Sequence, residues 1–65
     1  MAQRATDEAI PQDRRMEIFR VLVEAQDGRM TLLRSRQVVA QRFGITERQI
    51  RRIEKEGLDG NWPPL

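Results

Sequence analysis

The side chains best suited to chemistry lie close together. Between residues 36 and 55 the chain carries Arg36, Arg42, Arg48, Arg51, Arg52 and Lys55 against only Glu47 and Glu54, a local excess of four positive charges. Arginine supplies nearly all of it. Its planar fork of N–H donors suits phosphates and guanine edges better than a compact ammonium does. Residues 1–34 hold six basic and six acidic side chains, which cancel, and the whole chain has a formal net charge of +2. The cationic character is therefore local. Such an excess is an electrostatic footprint for nucleic acid, although a solvated helix face accounts for charge alone equally well.

Other chemistries are poorly supplied. The chain has no cysteine, histidine or tyrosine. That removes thiolate and imidazole metal ligands, disulfides, and the commonest general base at neutral pH. Lys55 is the only lysine. No enzymatic activity, metal or cofactor is expected. No apolar run approaches the roughly 18 residues of a membrane span, and Met1–Ile10 lacks the apolar stretch of a signal peptide. The expected setting is cytoplasmic, without a membrane partner. At 65 residues the chain makes one small domain, which buries only about 60% of its unfolded surface.

Three segments have helical periodicity, so the expected fold is all-α, a small three-helix bundle. Residues 1–10 are polar and aperiodic, and read as a flexible N-terminal arm. Pro11 and Asp13 open the first helix. Met16, Phe19, Leu22 and Val23 then form its apolar stripe, with Ile18 and Ala25 at the margin and Val21 pointing away. Gly28 is expected to stop it in a left-handed cap. Residues 29–34 have no clear period, and Met30, Leu32 and Leu33 are apolar enough to pack under the domain. Ser35 is a candidate N-cap for a second helix through Phe43, with Val39, Ala40 and Phe43 facing inward. Gly44 suits the positive φ of a tight turn, and Ile45 is expected to be buried there. Thr46-Glu47-Arg48-Gln49 matches a capping box opening a third helix. Ile50, Ile53 and Gly57 share its inner face, and Gly57-Leu58 suits a Schellman stop. The prolines of residues 59–65 favour an extended tail, with Trp62 as a lid on the core or as an exposed anchor.

A helix that enters the DNA major groove must be held by a second helix across a short turn, with a small residue at their closest approach. Gly44 supplies the turn, and Ala40 the close approach. Val39, Phe43, Ile45, Ile50 and Ile53 supply the shared core. At these positions the sequence resembles the helix-turn-helix DNA-binding family, which places a helix-turn-helix domain over residues 11–58. The stretch GITERQIRRIEKEGL is also similar to the recognition helix of region 4 in the primary sigma factors of bacterial RNA polymerase. There a Gly-aliphatic-Thr/Ser turn leads into an Arg-rich helix with an Ile-Glu pair before Ala/Gly-Leu. Gly44, Ile45, Thr46, Arg48, Ile50, Arg51, Ile53, Glu54, Gly57 and Leu58 carry that match, over about a quarter of the chain. It implies kinship of a DNA-reading helix rather than sigma activity, because no core-polymerase-binding region accompanies it and the tail adds no basic residues. Phage and plasmid regulators and recombinase domains share the same helix logic.

The resemblance and the helical wheel together give the expected site. Arg48, Arg51, Arg52 and Lys55 lie roughly opposite Ile50 and Ile53 at about 100° per residue. Thr46, Glu47, Arg48, Gln49 and Arg52 are candidates for reading base edges, Arg48 and Arg52 foremost. Glu47 equally suits the helix dipole, and Gln49 the capping box. Ser35, Arg36, Gln37, Arg51 and Lys55 are candidates for the DNA backbone. The expected partner is double-stranded DNA, in transcription regulation and with nucleoid association. So small a module calls for a homodimer or a larger host for specificity. A reading from another class is a protein-interaction module, facing RNA polymerase or a regulatory protein through Val21, Trp62 and Leu65.

Overall fold

The computed structural model describes residues 10–65, and the expected arm over residues 1–9 lies outside them. Among the described residues the chain is all-helical. It forms α1 (Gln12–Asp27), α2 (Leu32–Phe43) and α3 (Glu47–Asp59), each packed against the other two. Among the described residues no helix is long and apolar enough to cross a membrane.

α1 starts from Pro11, whose carbonyl accepts the first helical bond from the Arg15 amide at 2.9 Å. Its core face is Ile18, Phe19 and Leu22, all fully buried, with Met16 and Val23 at the rim. Ile18 is thus central where the stripe suggested a margin. Val21 is half-buried and packs against the core. Ile10 also packs there, so it belongs to the domain and not to an arm. Gly28 does not adopt the expected left-handed cap. Its φ is −92°, and it closes α1 with a short bond to the Ala25 carbonyl at 3.2 Å. The positive φ, 103°, falls on Arg29 instead.

α2 begins one turn earlier than expected. Thr31 is its cap, accepting from the Arg34 amide at 3.1 Å. Ser35 is an interior residue, 0% exposed, and its hydroxyl donates to the Leu32 carbonyl at 2.8 Å. Both residues carry a hydroxyl able to cap. The longer helix satisfies both, one at its end and one by bonding back onto the preceding turn. At the other end Gly44 is left-handed, with φ 69° and ψ 33°. The Ile45 amide donates to the Ala40 carbonyl at 2.9 Å and the Gly44 amide to the Gln41 carbonyl at 3.3 Å, the paired bonds of a Schellman motif. Phe43 and Ile45 are half-buried.

α3 opens with the expected capping box. The Gln49 amide donates to Thr46 Oγ1 at 3.0 Å, and the Thr46 amide to Gln49 Oε1 at 2.8 Å. Thr46→Ala removes one half of that exchange at an exposed helix end. It is expected to cost about 1 kcal/mol, or about 4–8 °C in Tm for a domain of this size, measured by thermal unfolding. Gly57 does not end the helix; it lies inside α3, buried against Phe19. The Schellman bonds come later, around Asn61 at φ 53°, with the Trp62 amide donating to the Gly57 carbonyl at 3.0 Å.

The core joins Ile18, Phe19, Leu22, Val39, Ala40, Ile50, Ile53 and Trp62. The Trp62 ring meets the Phe19 ring edge-on, with centroids 6.0 Å apart and planes at 87°, a favoured aromatic geometry. Trp62 is therefore the lid. The last residues are not an extended tail. Asp59 is still helical, and the Leu65 amide turns back onto the Trp62 carbonyl at 2.9 Å. Burying the indole on so small a core outweighs the preference of the prolines for open chain.

Candidate nucleic-acid interface

The geometry of α3 divides its charges. Ile50, Ile53 and Gly57 are buried, and Glu54 and Glu56 sit at the two edges of that inner face. Both edges are tied to neighbouring helices. Arg15 of α1 forks onto Glu56, Nε donating to Oε1 at 2.9 Å and Nη2 to Oε2 at 3.0 Å. Hydrogen bonding to Glu56 raises the pKa of Arg15 above its ordinary value. Arg36 of α2 donates through Nε to Glu54 Oε1 at 3.0 Å, and the other oxygen accepts from Gln26 Nε2 of α1 at 3.1 Å. Glu54 thus ties all three helices together. Asp59 pairs with Lys55 at 3.2 Å, between two exposed side chains four residues apart. The fourth acid of α3, Glu47, is exposed in the first turn without an ion pair among the described residues.

Arg48, Arg51 and Arg52 are left on the outer face. All three are exposed, and none has a carboxylate partner among the described residues. Lys55 is exposed beside them, and its surface pair is weak enough to open toward another anion. Thr46 and Glu47 are exposed at the helix start. The structure thus brings Thr46, Glu47, Arg48, Arg51, Arg52 and Lys55 onto one accessible surface.

Four of the expected contacts are not available as read. Gln49 is only 8% exposed, and its side-chain oxygen is held by the capping box, so it does not present an amide to a base. Ser35 is buried with its hydroxyl bonded inside α2, and cannot touch a phosphate. Arg36 is half-buried in its pair with Glu54, a tie between helices rather than a free cation. Trp62 is buried under the core and offers no anchor to a partner. Val21 is half-buried, while Leu65 is exposed. Gln37 is exposed.

Sequence reasoning missed a cluster at the end of α2. The guanidinium of Arg14 lies 5.4 Å from the Phe43 ring centroid and that of Arg42 lies 6.0 Å from it, both within cation–π range. The neighbours Arg42 and Phe43 are visible in the sequence, but nothing local brings in Arg14 from the start of α1. An open groove of about 500 Å³ runs beside α3, bordered by Ile10, Arg15, Arg52 and Glu56. The Arg15–Glu56 pair already neutralises much of its wall. Among the described residues no three His, Cys, Asp or Glu side chains gather to hold a metal. No protein-family model, curated protein or solved structure matches the chain.

Proposed function

We propose that the chain binds double-stranded DNA as a helix-turn-helix protein, with α3 in the major groove and α2 bracing it across the Gly44–Thr46 turn. One observation carries the reading. Glu54, Glu56 and Asp59 of α3 are all ion-paired, while Arg48, Arg51 and Arg52 face solvent without a carboxylate. The outer face thus carries Arg48, Arg51 and Arg52 against Glu47 alone, a net positive surface that suits a polyanion with a groove the width of a helix. Arg48 and Arg52 read guanine edges, Thr46 and Glu47 lie at the entering end, and Arg51, Lys55 and Gln37 hold phosphates. The likeness of Gly44–Leu58 to the sigma region 4 recognition helix supports the same assignment. On this reading the protein regulates transcription in the nucleoid, and a homodimer or a larger assembly supplies the specificity that one small module lacks.

The test is a fluorescence-anisotropy titration of labelled duplexes at several salt concentrations. With Arg51 and Lys55 on phosphates, log Kobs is expected to fall linearly with log salt, with a slope of about −1.8. Absence of binding at the lowest salt, or binding without a salt slope, overturns the reading.

A further inference from the structure

With Trp62 buried, the partner surface expected on the tail keeps only Leu65 exposed, and Leu58 is exposed singly in the last turn of α3. A longer run of exposed apolar side chains lies elsewhere. Met30, Leu32 and Leu33 were expected to pack under the domain, yet they are 39%, 55% and 60% exposed. They are nearly consecutive, running from the α1–α2 connection into the first turn of α2. Three large apolar residues side by side are more than the scattered leucines of an ordinary surface.

The surroundings of the patch are cationic. Arg29 and Arg34 flank it, both exposed and without a carboxylate partner among the described residues. The first turn of α2 holds no acid, so the positive end of its dipole is uncompensated there. Asp27 is the acid nearest in sequence, and it forms no ion pair among the described residues. The connection also holds Arg29 at φ 103°, a region that costs a non-glycine residue energy and recurs where a segment is fixed for binding.

We propose that Met30, Leu32 and Leu33, rimmed by Arg29 and Arg34, dock an acidic amphipathic helix of a partner protein. Its apolar stripe covers the leucines, and its carboxylates meet the two guanidiniums and the α2 N-terminus. A second copy fits less well, since a twofold contact sets Arg29, Arg34 and the α2 N-terminus against their own images. A DNA backbone satisfies the arginines but leaves the leucines against phosphate and water. The patch shares no residue with the outer face of α3, but Gln37, assigned above to a phosphate, lies one turn along α2 from Leu33 and Arg34. The docking is therefore also measured on R48A/R51A/R52A, which removes the DNA face.

The intact chain is panned against displayed helices of about 16 residues, long enough for an amphipathic face, with a fixed leucine stripe and polar faces randomised between Glu and Lys. Enrichment of Glu-rich clones is expected. A synthetic copy of the most enriched clone should bind L32S/L33S about tenfold or more weakly than the parent chain. It should bind R48A/R51A/R52A unchanged. Panning against R29E/R34E should enrich Lys-rich clones. All four leucine and arginine positions are exposed, and circular dichroism confirms that each variant folds. Clones without charge bias overturn the proposal, as does equal binding to L32S/L33S. Displacement of the peptide from R48A/R51A/R52A by a duplex of roughly 20 base pairs makes the patch a nucleic-acid contact and also overturns it.

Discussion

Gly57→Val is expected to destabilise the protein by about 3 kcal/mol or more, a large share of its total stability. A Cβ at this position falls 2.6 Å from Phe19 Cγ, with the rest of that ring edge closer still. Phe19 is 0% exposed and packs edge-on against Trp62, so its ring has nowhere to retreat. Overpacking a close-packed core costs about 1–3 kcal/mol per site, and more where the neighbours are fixed. Valine adds two further methyl groups at the same contact. A domain of this length holds roughly 3–10 kcal/mol in total. Gly57→Ala is the informative companion. Alanine gains about 1 kcal/mol of helix propensity over glycine, so a merely tolerated helical glycine becomes more stable on this change. Net destabilisation by alanine therefore isolates the steric term. Urea unfolding followed by circular dichroism and by the fluorescence of Trp62 measures it. Shrinking the opposing ring with Phe19→Leu in the Gly57→Ala background should recover part of the loss, a non-additivity that marks direct contact. If Gly57→Ala matches or exceeds the parent in stability, the close α1–α3 approach does not exist as described.

Gly57 also illustrates why parts of the fold were legible in sequence and others were not. A glycine near a helix end has two uses, positive φ or small size. The sequence suggested the first, and a ring 38 residues away decides for the second. Gly44 posed the same choice, and there the turn chemistry was local, with Ala40, Gln41 and Ile45 all within four residues. The capping box was legible for the same reason, since Thr46 and Gln49 satisfy each other within one turn. Ser35 failed as a cap because Thr31, one turn earlier, carries an equivalent hydroxyl, and only tertiary packing shows which end is buried. The three-helix pattern followed from apolar periodicity, which is a property of single segments.

The candidate site divides in the same way. That Arg48, Arg51, Arg52 and Lys55 share an outward face follows from helical spacing, given the buried positions of Ile50 and Ile53. That Arg36 does not belong with them depends on Glu54, 18 residues distant and held also by Gln26. Charge counting gave residues 36–55 an excess of four, but it could not tell a cation tied to a neighbouring helix from one left free. The ion pairs redistribute that excess. They withdraw Arg36 together with Glu54, and leave Arg48, Arg51 and Arg52 beside Glu47 on the outer face.

Replacing Arg48, Arg51 and Arg52 together by alanine is expected to weaken DNA binding by about a hundredfold or more. The estimate takes about 1–3 kcal/mol for each base-reading arginine. Loss of the phosphate contact of Arg51 should also flatten the salt slope by about 0.9. All three side chains are exposed and unpaired among the described residues, and alanine is the best helix former. Surface changes of this kind usually stay within about 0.5 kcal/mol each. The like-charged neighbours Arg48–Arg51, Arg48–Arg52, Arg51–Lys55 and Arg52–Lys55, at three- and four-residue spacing, are also relieved. Loss of binding with an unchanged urea midpoint therefore separates a binding face from a structural one. Two further variants make the assignment specific. Arg20→Gln removes one positive charge from a surface pair on α1 and should leave affinity nearly unchanged, whereas Arg51→Ala, also a change of one charge, should weaken it. Arg48→Lys with Arg52→Lys keeps the charge but loses the bidentate fork. It should preserve the salt slope and binding to arbitrary duplexes while erasing discrimination among them. If the lysine pair discriminates as well as the parent, these two residues hold phosphates and the base-reading role lies elsewhere on α3. If the triple alanine variant binds as tightly as the parent, the outer face of α3 is not the interface.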